Sequence, residues 1–203
     1  MTAPSCDLDT GRLREAIQAM YTRVVMEPES TFHFHRGAEY AAAVLGYDAA
    51  ALAMVPEEVT DAFSGIGNPL RIGPLRSGIT VVDVGCGAGL DLLLAARAVG
   101  SSGRAIGIEM TEAMAARARS GARAAGLENV EVRSGDAIAL PVDKESADVV
   151  ISNGALNLVP EKETAAREMY RVLKSGGQLF LADIALDRTV SDDARGDIDL
   201  WTA

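Results

Sequence analysis

Gly85, Gly87 and Gly89 follow the run Val82-Asp83-Val84 and enclose Cys86 and Ala88. Glycine lets the backbone approach a ligand closely and turn sharply from a strand into a helix. The spacing is G-x-G-x-G, not the G-x-G-x-x-G of dinucleotide folds, so the match to a pyrophosphate cradle is poor. Asp83, just before the loop, argues the same way. A carboxylate there repels a pyrophosphate but suits the ammonium of an amino-acid-like ligand, directly or through water. Glu109 comes 20 residues after Gly89, where an acid chelates ribose hydroxyls. Met110 beside it can pack on a purine face. Asp136 and Ala137 in Ser134-Gly135-Asp136-Ala137 offer a carboxylate and a backbone amide to an adenine edge, although Gly-Asp is also a common turn pair. Cys86 reads as a small buried loop residue rather than a nucleophile. Amino acid, ribose and adenine, in that order, describe S-adenosylmethionine, which is the expected cofactor. Cys6 and Cys86 make neither a disulfide framework nor a zinc site, and no metal is expected.

These groups need a scaffold, and its pattern is visible. After Gly78, short β-branched runs alternate with helical stretches. The strands are expected at 80–84, 104–109, 130–133, 147–152 and 178–182, with helices at 90–99, 112–125 and 161–174 and at most a turn at 143–146. Strand–helix–strand at this spacing means parallel pairing through right-handed crossovers. The fold class is therefore α/β: a Rossmann-like doubly wound parallel sheet. Before Gly78 the chain reads as short helices. Leu13, Ile17, Met20 and Val24 recur at helical spacing over 11–25. Gly37 to Leu45 forms a second helix, Asp48 caps a third, and Pro56-Glu57-Glu58 opens a fourth. Two units are expected, an N-terminal helical cap over 1–78 and a cofactor-binding domain over 79–203.

Composition limits the partners. The chain has 203 residues, 48% hydrophobic, with 19 Lys and Arg against 29 Asp and Glu, and a net charge of −10. Nucleic acid and anionic membranes are disfavoured by that sign. No apolar run is long enough to span a bilayer and no secretory leader is visible, so a cytoplasmic protein is expected.

Residues 79–183 resemble class I S-adenosylmethionine-dependent methyltransferases, through Val82 to Gly89, Gly107-Ile108-Glu109-Met110-Thr111 and Arg171-Val172-Leu173-Lys174-Ser175-Gly176-Gly177. Ser152-Asn153-Gly154-Ala155-Leu156-Asn157-Leu158-Val159-Pro160, Gly65-Ile66-Gly67-Asn68-Pro69 and Asp199-Leu200-Trp201 are similar to the arsenite methyltransferase branch. That branch holds arsenic(III) through thiolates, soft ligands for a soft ion. Two of its cysteines would fall where this chain has Ile66 and Gly154, and a third just past Trp201, where the chain ends at Ala203. The resemblance thus implies a methyltransferase with another small-molecule acceptor. The antiparallel strand pair that the family places after its fifth strand is not found. The fifth strand, with Leu179, Phe180 and Leu181, should then need cover on its open edge. The 191–201 helix with Trp201, a partner in a homodimer, or further chain could supply it.

Methyl transfer needs donor and acceptor held in line, and a base only where the acceptor must lose a proton. Asn153 and Asn157, at the end of the fourth strand, should face the reaction centre, with Asn153 at the amino-acid end of the cofactor. The base candidates are His33 and His35 in Phe32-His33-Phe34-His35. In an extended chain both imidazoles share one face and both phenyl rings the other. That segment either caps the pocket with its histidines or is a surface turn with buried phenylalanines. Tyr21 is a weaker candidate. Arsenite methylation, an NAD-binding oxidoreductase and an S-adenosylmethionine-binding protein without turnover are the competing readings.

Overall fold

A computed structural model describes residues 8–187 and 190–201; Cys6 lies outside them. Four helices lead the chain: α1 (Thr10–Met26), α2 (Gly37–Ala43), α3 (Ala49–Leu52) and α4 (Glu57–Thr60). The Asp9 side chain caps α1 by accepting from the Arg12 N–H at 3.0 Å, and Asp48 caps α3 through the Ala50 N–H at 2.8 Å. The apolar stripe of α1 buries Leu13, Ile17 and Val24, as its spacing requires.

The alternating part follows as β1 (Thr80–Val84), α5 (Leu90–Val99), β2 (Arg104–Glu109), α6 (Glu112–Ala124), β3 (Val130–Ser134), β4 (Ala147–Asn153), α7 (Lys162–Val172) and β5 (Leu173–Ala182). Short helices α8 (Asp192–Gly196) and α9 (Ile198–Trp201) come last. Residues 143–146 form a turn, tied by the Ser146 hydroxyl donating to the Asp143 carbonyl at 2.6 Å. The five strands lie in the order β3-β2-β1-β4-β5, and every neighbouring pair is parallel. This is the expected doubly wound α/β sheet. β1 and β4 are neighbours although β2 and β3 lie between them in sequence. The chain therefore changes direction across the sheet at this junction, where such folds open a ligand crevice at the carboxyl ends of their strands.

Both faces of the central strands β1, β2 and β4 are covered, which explains their almost unbroken apolar runs. Val82, Ile106 and Val150 pack with Met169 and Val172 of α7, while Val81, Val149 and Ile151 pack with Ala95 and Val99 of α5. Tyr47, Leu52, Val59 and Phe63 from the segment before β1 join Leu90, Leu92 and Leu93 in one buried cluster.

The sheet rim departs from expectation in two ways. β5 begins earlier than the Gly176-Gly177 stop signal implies: Leu173 pairs with Ala147, and the register then slips before resuming at Gln178–Val149. Gly176, at φ +77°, lies in that bulge. The expected cover on β5 is not present on both faces among the described residues. Phe180 is buried, but Leu179 and Leu181 are 41% and 37% exposed. α9 folds against α1, and Trp201 lies under the Lys162 ammonium at 5.1 Å from the ring centroid, so it does not plug the edge.

Candidate functional site

A cleft opens at the carboxyl ends of β1, β2 and β4. The loop after β1 forms its floor. Gly85, Gly87 and Gly89 have φ of +75°, +53° and +101°. At Gly85 the need is steric as well as conformational, because a Cβ there would stand 2.5 Å from the Ala155 Cβ. The loop is pinned from the side by Glu109. One oxygen of its carboxylate accepts from the Gly87 N–H at 2.9 Å and the other from the Thr111 N–H at 2.7 Å.

All ten residues expected at the cofactor line this cleft: Asp83, Gly85, Cys86, Gly87 and Gly89, then Glu109, Met110, Asp136, Ala137 and Asn153. Cys86 is buried, and burial together with the nearby Asp83 raises its thiol well above the usual range, so it is a packed residue and no nucleophile. Asp136 accepts from the Ile138 N–H at 3.1 Å and pairs with Arg14 of α1 at 2.8 Å. The turn reading of Gly-Asp is thus met in a residue that also lines the cleft. α1 is also tied down by Gln18, whose amide donates to the Met110 carbonyl at 3.0 Å.

The catalytic candidates fare differently. His33 and His35 are exposed and are not among the residues lining the cleft. Phe32 and Phe34 stack on each other at 5.4 Å and turn toward Val24, Ala88 and Met114. The alternation is the expected one, but the phenyl face is the one drawn inward, because burying two phenyl rings is worth more than burying two imidazoles. The segment is a surface turn, and the reading of these histidines as a cap is corrected. Asn157 also lies off the cleft. Its backbone N–H donates to Asp183 at 3.0 Å, and with its amide turned to satisfy its neighbours, its nitrogen donates to the Gly154 carbonyl at 2.8 Å. It shapes the turn after β4. Tyr21 does line the cleft, with its hydroxyl pushed up to about 12 by burial and by Glu109.

Asp91, which lines the cleft, and Tyr47, which bonds to it, carry no site motif in the sequence. Asp91 stands in the first turn of α5 and is 6% exposed. The available signal was a lone acid in the apolar run Leu90-Asp91-Leu92-Leu93-Leu94. The Tyr47 hydroxyl donates to Asp91 at 2.6 Å, and the Asn153 amide donates to the other Asp91 oxygen at 2.9 Å. Asn153 in turn accepts from the N–H groups of Ile66 and Gly67 at 2.9 and 3.1 Å. Its side chain therefore holds the loop before β1.

Charge is distributed unevenly over the lining. Asp83, Asp91, Glu109, Asp136 and Glu161 line the cleft, and among the described residues that do so Arg14 is the one cation, already paired. Asp83 is buried with one carboxylate oxygen lacking any hydrogen-bond partner. Burial, then the charges of Asp91 and Glu109, raise its carboxyl well above the usual range. Burial raises Asp91 to about 6 despite its two donors, and raises Glu109 against the pull of the Thr111 and Gly87 amides. An unpartnered buried carboxylate beside two others is a site for a positive charge that the protein does not itself supply.

Residues 75–200 match the family model described as a methyltransferase domain. The arsenite methyltransferase of Halobacterium salinarum is 42% identical over 158 residues, which are 78% of this chain and 40% of that protein. The demethylmenaquinone methyltransferase of Listeria welshimeri is 36% identical over 114 residues, 56% of this chain and 48% of that protein. Among solved structures, an arsenic(III) S-adenosylmethionine methyltransferase from Chlamydomonas reinhardtii aligns with a TM-score of 0.68 and 37% identity, over 74% of this chain and 53% of its own. The chain thus spans about half or less of the length of these relatives. With its parallel sheet, its glycine loop at the β1–β4 junction and a family match over more than half its length, the chain belongs to the methyltransferase domain family.

Proposed function

We propose that this chain binds S-adenosylmethionine and transfers its methyl group to a small-molecule acceptor other than arsenite. The observation that carries the reading is the unpartnered Asp83 oxygen in a cleft lined by Asp91 and Glu109. These groups suit a ligand with an ammonium and a sulfonium and repel a pyrophosphate, which disfavours the NAD reading. When bound, the cofactor supplies an electrophilic methyl on a sulfonium. The residues of the chain do the rest. Asp83 and the glycine loop receive the amino-acid end, Glu109 the ribose hydroxyls, and Asp136 with Ala137 the adenine edge. The apolar walls Ile17, Met114, Leu158 and Val159 exclude water. The leading helices act as the cap, and α1 closes the adenine side through Arg14 and Gln18.

The acceptor side is the opposite end of the cleft, near Gly65, Gly154 and Tyr21. There the two positions that the arsenite branch fills with cysteines lie together: a Cβ at Gly154 would be 3.4 Å from the Ile66 side chain. Neither residue carries sulfur, and Cys86 is buried in the cofactor loop. No thiolate set is assembled among the described residues, and none of them forms a metal-ligating cluster. Tyr21 stays protonated at neutral pH and serves as a hydrogen-bond donor to the acceptor rather than as a base. The acidic composition supports a free small molecule over nucleic acid, and no helix of the described residues is long and apolar enough to cross a membrane. The test is turnover. S-adenosylhomocysteine should accumulate with a neutral or cationic small acceptor. With arsenite and a thiol reductant, methylated arsenic should stay at the level without enzyme. Methylated arsenic well above that level would overturn the acceptor assignment.

A further inference from the structure

Around Gly65 and Gly154 the cleft has apolar walls. The Phe63 ring packs so close to Gly65 that a Cβ there would stand 2.6 Å from it, and Gly154 leads into the lining turn of Ala155, Leu158 and Val159. Tyr21 brings a polar group to this end. Burial, then the charge of Glu109 and more weakly that of Asp183, push its hydroxyl up to about 12. Negative charge therefore reaches this end without a cation to balance it among the described lining residues, since Arg14 is paired with Asp136. The carboxylates of the lining are committed to donors of the chain. Glu109 accepts from the Gly87 and Thr111 amides, Asp91 from Tyr47 and Asn153, and Asp136 from the Ile138 amide and Arg14. Asp83 keeps one oxygen unpartnered, which the ammonium of the donor takes. Glu161 is exposed at the head of α7. No histidine lines the cleft among the described residues.

We propose that the acceptor is a dialkyl sulfide: a neutral sulfur lone pair on an apolar body, with no proton to lose. This deepens the donor reading given above and rests on it. The sign of the lining removes one class of acceptor, because thiolates, phenolates and carboxylates are anions that it repels. Proton chemistry removes another. An alkylamine is a cation at neutral pH, so the lining holds it in the form without a lone pair, and the committed carboxylates are not placed to take its proton. A sulfide meets neither obstacle. One lone pair of the acceptor sulfur forms a bond to the methyl carbon as the bond from that carbon to the donor sulfur breaks, and the electron pair of that bond stays on the donor sulfur. The products are a trialkylsulfonium and S-adenosylhomocysteine. The single positive charge passes from donor to product and no proton moves, so carboxylates that suit the donor cation also suit the product cation. The second lone pair of the acceptor sulfur accepts weakly from the Tyr21 hydroxyl, and the walls around Gly65 and Gly154 take the alkyl groups. Ile66 and Gly154 keep this end free of thiolate, which suits an acceptor that brings its own sulfur.

The full chain is first titrated with S-adenosylmethionine by calorimetry. It is then incubated with S-adenosylmethionine and dimethyl sulfide, diethyl sulfide or tetrahydrothiophene, and in parallel with ethanethiol, propionate, catechol or propylamine. S-adenosylhomocysteine is quantified and the methylated product identified by mass. At least one sulfide should raise S-adenosylhomocysteine formation about tenfold or more over the acceptor-free rate, with the matching trialkylsulfonium, and every member of the second set should stay about tenfold or more below it. At saturating S-adenosylmethionine the sulfide rate should change by less than about threefold between about pH 7 and 9, whereas a thiol would gain up to about tenfold per unit below its pKa of about 8.5. A chain that binds S-adenosylmethionine but misses that gain with every sulfide, turns over a member of the second set as fast, or shows the larger pH change, overturns the acceptor proposal and leaves the donor reading standing. A chain that does not bind S-adenosylmethionine overturns the donor reading, and the acceptor proposal with it.

Discussion

The two ends of the cleft are built by opposite means. At the cofactor end, one continuous stretch from Asp83 to Gly89 supplies the floor, and Glu109 pins it through two backbone amides. At the other end, Phe63, Gly65, Asp91 and Asn153 converge on the lining from distant segments, and side-chain hydrogen bonds that include Tyr47, Ile66 and Gly67 hold them. The first end is defined by what the backbone can do, the second by what side chains can reach. A backbone-built site tolerates few substitutions and binds a constant ligand. A site built from converging side chains can change its ligand by changing single residues. Ile66 and Gly154 look like such changes relative to the thiolate-bearing branch that this chain resembles.

The largest expected effect tests the backbone-built end. Gly85→Ala combines a left-handed φ with a clash against Ala155 and should cost about 2–5 kcal/mol in urea unfolding. Gly87→Ala, where a Cβ meets nothing within 4 Å, should cost only about 1–2 kcal/mol from its backbone conformation. Equal losses would show that conformation alone, not fit against Ala155, sets the loop.

Next is Glu109→Ala, which removes the ribose acceptor and both loop anchors. Calorimetry should find affinity for S-adenosylhomocysteine weaker by about 1.5–3 kcal/mol. Unchanged affinity would remove Glu109 from the site.

The pH dependence of stability probes the seam between the two ends. Asp91 has a folded pKa of about 6 against an ordinary value of 3.8. A carboxyl raised in this way binds more protons folded than unfolded between those values. Its contribution is fully present below the unfolded pKa and is lost as pH rises through the folded one. The unaltered protein should therefore lose stability relative to Asp91→Asn as pH rises from about 4 to about 7. Asp83, raised in the same sense, adds to the trend, and part of its shift disappears with the Asp91 charge. A stability difference that is flat across this range would mean that Asp91 is not buried as described.

How much of this the sequence carries follows the same division. The sheet, its order of helices and strands, and the gathering of ten named residues at one cleft are legible because period-2 and period-3.6 patterns and glycine spacing are local properties. The Asp91–Tyr47 bond was not, since its partners are 44 positions apart and neither belongs to a pattern. The His33 and His35 reading failed for a related reason. Alternation separates two faces of a segment but does not say which one the core will take. The open rim at Leu179 and Leu181 shows a further limit: an apolar strand states its need for cover, not what supplies it.

The smallest effect is expected at Arg14→Ala. The Arg14–Asp136 pair is 43% and 27% exposed at its two side chains, so its loss should change cofactor affinity by no more than about 1 kcal/mol. A larger loss would make α1 an energetic part of the cofactor site rather than its cover.

The central claim is that a cluster of buried carboxyls, with one Asp83 oxygen unpartnered, in a glycine-floored cleft selects a cationic adenosyl ligand. Calorimetric titration of the full chain with S-adenosylmethionine and, separately, with NAD tests it most directly. The account predicts one S-adenosylmethionine per chain at micromolar affinity, about −8 kcal/mol, and no saturable heat with NAD. Saturable NAD binding, or none of S-adenosylmethionine, would contradict it.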